Sequence, residues 1–241
     1  MPGINNNNQE ARPIVASGLL ASKHIWQGLI DLVFPPRCAH CGRVDWRWCP
    51  HCVNELRTVP ISGIRRTLPH NSGLDALYSS GDHTGILQSA VKALKYDAAT
   101  EVVDPLGDRL ARIIIKANVS FDMIIPVPLH AARLSQRGYN QANEIAQCVA
   151  LCTGIRCEPA AITRQRETRT QVGLNKQERQ ANVSDAFHAT RDLSGQRILL
   201  VDDVYTTGAT IAACAQAART AGASKIIGLT VTAARIAAHR L

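Results

Sequence analysis

Aromatic residues are scarce, 4% of 241, although 46% of the chain is hydrophobic. A core built mainly on Ala, Ile, Leu and Val suits helices packed on a parallel sheet better than an all-β sandwich. No apolar run approaches the ~20 residues needed to cross a bilayer, so no membrane span is expected. The N-terminus, MPGINNNNQEARPIVASG, lacks the charged start and continuous apolar stretch of a secretory signal. A cytoplasmic location is therefore expected, where the eight cysteines stay reduced unless a metal holds them. There is no internal repeat. A GxxxxGK motif ending in Ser or Thr is also missing, which removes the upstream half of a Walker-type nucleoside triphosphatase. What the chain does have is positive charge, a net +8, which makes anionic partners plausible without choosing between phosphorylated metabolites and nucleic acid.

Four segments follow from composition. Residues 1–22, with four consecutive asparagines, read as a disordered tail. Residues 23–57 hold a short helix and a cysteine cluster; within them Leu29 to Phe34 read as a helix face packed on the domain, stopped by Pro35 and Pro36. Residues 58–74 look like a linker, and residues 75–241 alternate strand with helix. The expected strands are Ala76 to Ser80, Met123 to Val127, Ala161 to Arg164, Ile198 to Val201 and Ile226 to Val231. Helical patterns cover Ile86 to Tyr96, Val102 to Lys116, Asn140 to Thr153 and Thr210 to Gly222. This order predicts an α/β domain with a parallel sheet and helices on both faces. Gln165 to Asn182 is the exception, polar, basic and aperiodic, as lids and binding loops are.

ILLVDDVYTTGAT, Ile198 to Thr210, carries most of the functional argument. A buried strand delivers Asp202 and Asp203 at its carboxyl end, where ligands of open α/β sheets bind. Thr206, Thr207, Gly208, Ala209 and Thr210 then lead into a helix, whose N-terminal amides and dipole suit a phosphate. Two carboxylates are acceptors, better matched to ribose hydroxyls or a metal than to the phosphate itself.

This stretch resembles the PRPP-binding motif of type I phosphoribosyltransferases. The resemblance implies that Asp202 and Asp203 hold the ribose hydroxyls, with Thr206 to Thr210 around the 5′-phosphate and Mg²⁺ accompanying PRPP; Tyr205 stands where an aliphatic residue is more usual. It also implies that PVPLHAARLSQRGYNQA contacts diphosphate through Arg133, Arg137 and Gly138. Arg164 to Asn182 then falls where the family's mobile catalytic loop lies, with Arg169, Thr170, Gln171 and Arg179 closing over the diphosphate and Arg169, Gln171 and Arg179 as its catalytic groups. LKY (Leu94 to Tyr96), IIPVPLHAARLSQRGYNQA, RETRTQVGLNKQERQANVSDAF and VDDVYTTGAT together resemble one branch, the ComF family of competence-related proteins. The similarity runs over about residues 24–232.

Cys38-Ala-His-Cys41 and Cys49-Pro-His-Cys52 form two CxxC pairs separated by seven residues. Four thiolates at this spacing suit a closed tetrahedral Zn²⁺ site that folds a small module and catalyses nothing. His40 and His51 lie between their cysteines and are expected to point away. A redox dithiol is the competing reading, for which one CxxC would suffice. ComF relatives carry a comparable module, a double zinc ribbon. Cys148, Cys152, Cys157 and Cys214 read as small buried hydrophobes.

Two functions remain in play. One is a PRPP or ribose-phosphate binder acting in DNA uptake during natural transformation, with single-stranded DNA and the uptake machinery as partners. The other is an active phosphoribosyltransferase of nucleotide metabolism with an unidentified acceptor. With the chain ending at Leu241, residues 24–74 are the expected hood over the acceptor. Arg65, Arg66, Arg164, Arg166, Arg169, Lys176 and Arg179 suggest a basic surface for nucleic acid, on which Trp26, Trp46 and Trp48 could stack bases unless they fill the small module's core.

Overall fold

The apolar runs become strands buried on both faces. The structure is a computed structural model that describes residues 35–62, 64–65, 68, 72–165 and 186–234. In chain order its elements are α1 (Pro50–Thr58), β1 (Ile64–Arg65), β2 (Ala76–Asp82), α2 (Gly85–Tyr96), a short 3₁₀ turn (Thr100–Val102), α3 (Val103–Lys116), β3 (Met123–Pro126) and α4 (Ala131–Arg137). They continue with α5 (Gln141–Thr153), β4 (Ile162–Arg164), β5 (Phe187–Ala189), β6 (Arg197–Tyr205), α6 (Ala209–Thr220) and β7 (Lys225–Ala233). The main sheet has the order β1-β2-β7-β6-β3, parallel except for β1, which pairs antiparallel with β2. Thus the segment read as a linker also carries an edge strand.

Side chains alternate across a strand, and β6 uses both faces. Leu199 and Val201 join a core formed with α2, α3 and α5, whereas Ile198 and Leu200 join a second core beneath α6, β4 and β5. Two buried faces explain the nearly continuous apolar run.

Two expectations need adjusting. The strand expected to end at Val201 continues to Tyr205, because Asp202, Val204 and Tyr205 keep pairing with Thr230, Thr232 and Ala233 of β7. The acidic pair therefore lies within the ladder, not after it. The strand expected over Ala161 to Arg164 stays out of the main sheet, since β4 pairs antiparallel with β5 in a separate ribbon. That ribbon brings Gln165 and Ala186 together through a 2.9 Å backbone bond.

Helix α5 is fixed at both ends. The Asn140 side chain accepts from the Ala142 amide at 3.0 Å, and Gly154 closes the helix in the left-handed region with φ 71°. The short α4, which the sequence pattern did not announce, is capped by His130 Nδ1 accepting from the Ala132 amide at 3.2 Å and ends at Gly138, φ 82°.

The cysteine-rich segment is joined to the sheet domain by a buried cation. Arg109 of α3 is 2% exposed and donates to the carbonyls of Leu56 (3.4 Å), Val59 (2.5 Å) and Pro60 (3.2 Å) at the end of α1. Those carbonyls would otherwise be orphaned at a helix C-terminus, and a cation there also complements the dipole. Arg109→Ala is expected to destabilise the chain by about 2–4 kcal/mol, since it empties a buried volume and strips these acceptors of their donor. Urea unfolding measures this; a change below about 0.5 kcal/mol, the level of an ordinary surface substitution, would show that other contacts hold the module in place.

Candidate functional site

The carboxyl ends of β3 and β6 border a cavity of about 330 Å³, lined by His83, Lys95, Tyr96, Arg133, Arg137, Gln141, Arg164, Asp202, Asp203, Thr206 and Thr210 among others. Asp203 is nearly buried. One of its oxygens meets Lys95 Nζ of α2 at 2.7 Å, and the other accepts from Gln141 Nε2 of α5 at 2.7 Å. The Asp203 amide in turn donates to Asp202 Oδ1 at 2.8 Å. Enclosure, followed by the neighbouring Asp203 charge, raises the Asp202 carboxyl to about 8. Two acids side by side in a confined space cannot both ionise freely.

His83 lies at the end of β2, with Nδ1 2.8 Å from the Thr232 hydroxyl. Burial, and then the charges of Lys95 and Lys92, lower its pKa and favour the neutral ring.

Beyond the acids the chain turns into α6. Thr206 and Thr210 reach the cavity, whereas the Thr207 hydroxyl accepts from the Ala209 amide at 3.4 Å. Gly208 has φ 78°, and a Cβ there would come within 2.5 Å of the Tyr205 ring. The unusual tyrosine thus explains why only glycine fits: its ring, 4% exposed, fills the space beneath the loop. Gly208 and Ala209 shape the entry to α6 but do not line the cavity. The first amides of α6 have no partners within the helix and suit an anion.

The cavity lining is also cationic. Arg133 and Arg137 of α4 face the cavity together with Arg164 at the end of β4. Arg137 donates to Gln141 Oε1 at 3.0 Å and lies 5.4 Å over the Tyr96 ring. Gly138 contributes differently from its neighbours, since its amide is already donated to the Leu134 carbonyl at 2.7 Å. Arg169, Thr170, Gln171 and Arg179 lie outside the described residues, as do Trp26, Arg66, Arg166, Lys176, Leu29 to Phe34 and the tail.

Lys95, Gln141, His83 and Tyr96 are cavity residues that sequence reasoning gave no role. LKY and GYNQA were visible as strings, but nothing in one dimension says that their side chains converge on Asp203.

The second site is the cysteine cluster. The Sγ atoms of Cys38, Cys41, Cys49 and Cys52 all lie within 4.8 Å of one another, and those of Cys41 and Cys49 are 3.6 Å apart. Zn–S bonds of about 2.3 Å in a tetrahedron put sulfurs at about this separation, so the donor set fits zinc. Burial pushes the Cys38 thiol up, but amide donation from Cys41, Cys49 and His40 outweighs it and brings the group down to about 6. Burial and hydrogen bonding with the other thiols push Cys52 up. His40 points away from the sulfurs, with Nδ1 3.2 Å from the Ser89 hydroxyl and Nε2 3.6 Å from Glu55.

Two other expectations resolve here. Trp48 is 1% exposed and fills the module's core, while Trp46 is 43% exposed; of this pair only Trp46 could stack on a base. Among the remaining cysteines Cys214 is buried, but Cys152 is exposed because it lies on the outer side of α5 near its end. Among the described residues no helix is long and apolar enough to cross a membrane.

Residues 100–240 match the phosphoribosyl transferase domain family. The DNA utilization protein YhgH of Salmonella typhimurium is 31% identical over 194 residues, which cover 78% of this chain and 85% of that protein. Competence protein F of Haemophilus influenzae is 28% identical over 199 residues, 79% of this chain and 82% of its own. Among solved structures, glutamine phosphoribosylpyrophosphate amidotransferase from B. subtilis, complexed with ADP and GMP, is 23% identical; it covers 54% of this chain and 26% of its own with a TM-score of 0.39, too loose a match to add to the assignment. With an acidic pair, a helix-opening loop and a cysteine cluster ahead of the matched domain, the chain belongs to the phosphoribosyl transferase domain family, in its ComF competence branch.

Proposed function

We propose that the cavity binds PRPP or a related ribose phosphate with Mg²⁺, and that this binding serves DNA uptake during natural transformation. The observation that carries the reading is the presence of two chemistries in one cavity. Asp202 and Asp203 supply acceptors beside the α6 entrance, and Arg133, Arg137, Arg164 and Lys95 supply cations to the same cavity. A ribose carrying phosphates at both ends presents the complementary pattern: hydroxyl donors for the carboxylates, one phosphate for Thr206, Thr210 and the α6 amides, and a diphosphate for the arginines. Oxygen ligands from the acidic pair and from the phosphates suit Mg²⁺, which when bound would neutralise diphosphate charge. The DNA-uptake part rests on the names carried by the relatives, a DNA utilization protein and a competence protein, and on the chain's net charge of +8. Single-stranded DNA and uptake components are the partners this implies.

A PRPP–Mg²⁺ complex is expected to bind the full chain in calorimetry. Replacing both acids, Asp202→Asn with Asp203→Asn, should weaken it at least about tenfold, since each charge-assisted bond contributes roughly 1.5–3 kcal/mol. Unchanged affinity would make the acidic pair structural.

The raised Asp202 carboxyl gives a separate expectation. Between the ordinary carboxylate range and about 8 the folded chain keeps a proton that the unfolded chain releases, so this group subtracts stability as pH rises through that window. Asp202→Asn should therefore gain in Tm over the wild type, by an amount that grows from pH 5 to pH 8. Parallel Tm curves would contradict the placement of this acid in a confined, ligand-ready pocket.

For the cysteine cluster, one zinc per chain is expected by elemental analysis. Cys38→Ser with Cys41→Ser should lose the metal and loosen residues 35–57 while the sheet stays folded. Protein purified without chelator and free of zinc would exclude this assignment.

A further inference from the structure

The turn that carries LKY lines the cavity through Lys95 and Tyr96 and is tied to several separate elements of the fold. Four consecutive residues at the end of α2 are each engaged by a different group. The Leu94 carbonyl accepts from the Tyr139 hydroxyl. Lys95 Nζ meets Asp203 at 2.7 Å. The Tyr96 ring lies under the Arg137 guanidinium, 5.4 Å from its centroid. The Asp97 carbonyl, at the C-cap of the helix, accepts from Arg47 Nη1 at 2.9 Å.

The last of these contacts comes from the cysteine module. Arg47 stands between Cys41 and Cys49, and its own carbonyl accepts from the Ala39 amide at 3.1 Å. Its backbone is thus bracketed on both sides by metal-ligating positions, and its guanidinium sits at a helix C-terminus, where a cation is favoured by the dipole. The module reaches α2 a second time, through His40 and the Ser89 hydroxyl. Trp48 packs behind that contact, its ring 5.9 Å from the His40 ring. The two side chains that reach α2 and its C-cap, His40 and Arg47, are therefore carried by the same stretch of backbone that presents the four sulfurs.

We infer that the cysteine module is a metal-dependent positioning element for the ligand cavity: by fixing Arg47 it holds the last turn of α2, and with it Lys95 against Asp203 and Tyr96 at the cavity rim. The path is short: two residues of backbone from Cys49 to Arg47, the 2.9 Å bond from Arg47 to the Asp97 carbonyl, and the turn that carries Lys95 to Asp203. It works because a helix end frays unless something holds it. Released from Arg47, the Asp97 carbonyl loses its charged donor, the final turn opens, and Lys95 no longer sits at a fixed distance from the acid. Arg47 is a positioning residue, acting on ligand through the turn that carries Lys95 into the cavity. The inference rests on the ribose-phosphate reading for its consequence but not for its mechanics, and the two can be tested apart.

Hydrogen–deuterium exchange on the full chain, with zinc bound and after chelation, reads the mechanics without any ligand. Removing the metal should speed exchange of the amides of residues 94–98 by about fivefold, the protection expected from roughly one hydrogen bond, while those of β6 stay unchanged. Because chelation alone could loosen more than this turn, Arg47→Ala is the sharper variant. It should show the same acceleration with its zinc content intact, and Arg47→Lys should restore most of the protection. In calorimetry Arg47→Ala should weaken PRPP–Mg²⁺ about tenfold, although Arg47 lies outside the cavity. Unchanged exchange at residues 94–98 both on chelation and in Arg47→Ala would overturn the inference, as would faster exchange in Arg47→Ala with PRPP affinity unaltered. Failure of the zinc-loaded wild type to bind PRPP would instead remove the ligand reading, and the exchange data would still decide whether the module holds α2.

Discussion

The nearly buried carboxylate of Asp203 is the point on which the cavity depends. Lys95 takes one oxygen and Gln141 the other, which ties the end of α2 and the start of α5 to the carboxyl end of β6. Removing either partner would leave part of a confined charge uncompensated, a more serious loss than the interaction itself is worth. Asp202, one position earlier, is in a different state, raised to about 8 by enclosure and by its neighbour. The pair therefore offers one carboxylate held rigidly and one acid that gives up its proton with difficulty. Such a division is costly for the fold and makes sense where a ligand supplies hydroxyls or a cation to relieve it.

The cysteine module belongs to the same economy of placement. A segment of this size has too little apolar surface to fold alone, and it draws its stability from two sources. The four thiols provide a metal site, and Trp48, Leu56, Cys38, Cys49 and Cys52 share a continuous core with α2 and α3. Arg109 then bolts the end of α1 in place. The module is in this sense an extension of the sheet domain's helical layer, which is how its loop comes to touch the helix that carries Lys95.

Much of this was legible from the chain. Runs such as ILLV and MII announced buried parallel strands because both faces of the sheet are covered, and the two CxxC pairs announced a metal site because thiol spacing constrains geometry locally. The acidic pair and the TTGAT loop were recognisable because strand, turn and helix N-terminus are contiguous. What escaped were features set by distant partners. Lys95 and Asp203 are far apart in the chain, and no local pattern says they meet. The extension of β6 past Val201 depends on Thr230 and Thr232 offering a ladder, and the diversion of β4 from the main sheet depends on Phe187 to Ala189 waiting beside it. The burial of Trp48 but not Trp46 depends on which side of the knuckle faces α2.

The central claim is that the α6 entrance and the acid pair form one ribose-phosphate site. An amide-resolved NMR titration of the full chain with PRPP and Mg²⁺ tests it most directly. The account predicts that the largest shifts fall on residues 202–211, with a second group at residues 130–141. Shifts confined to other surfaces at saturating ligand, or none at all, would contradict it.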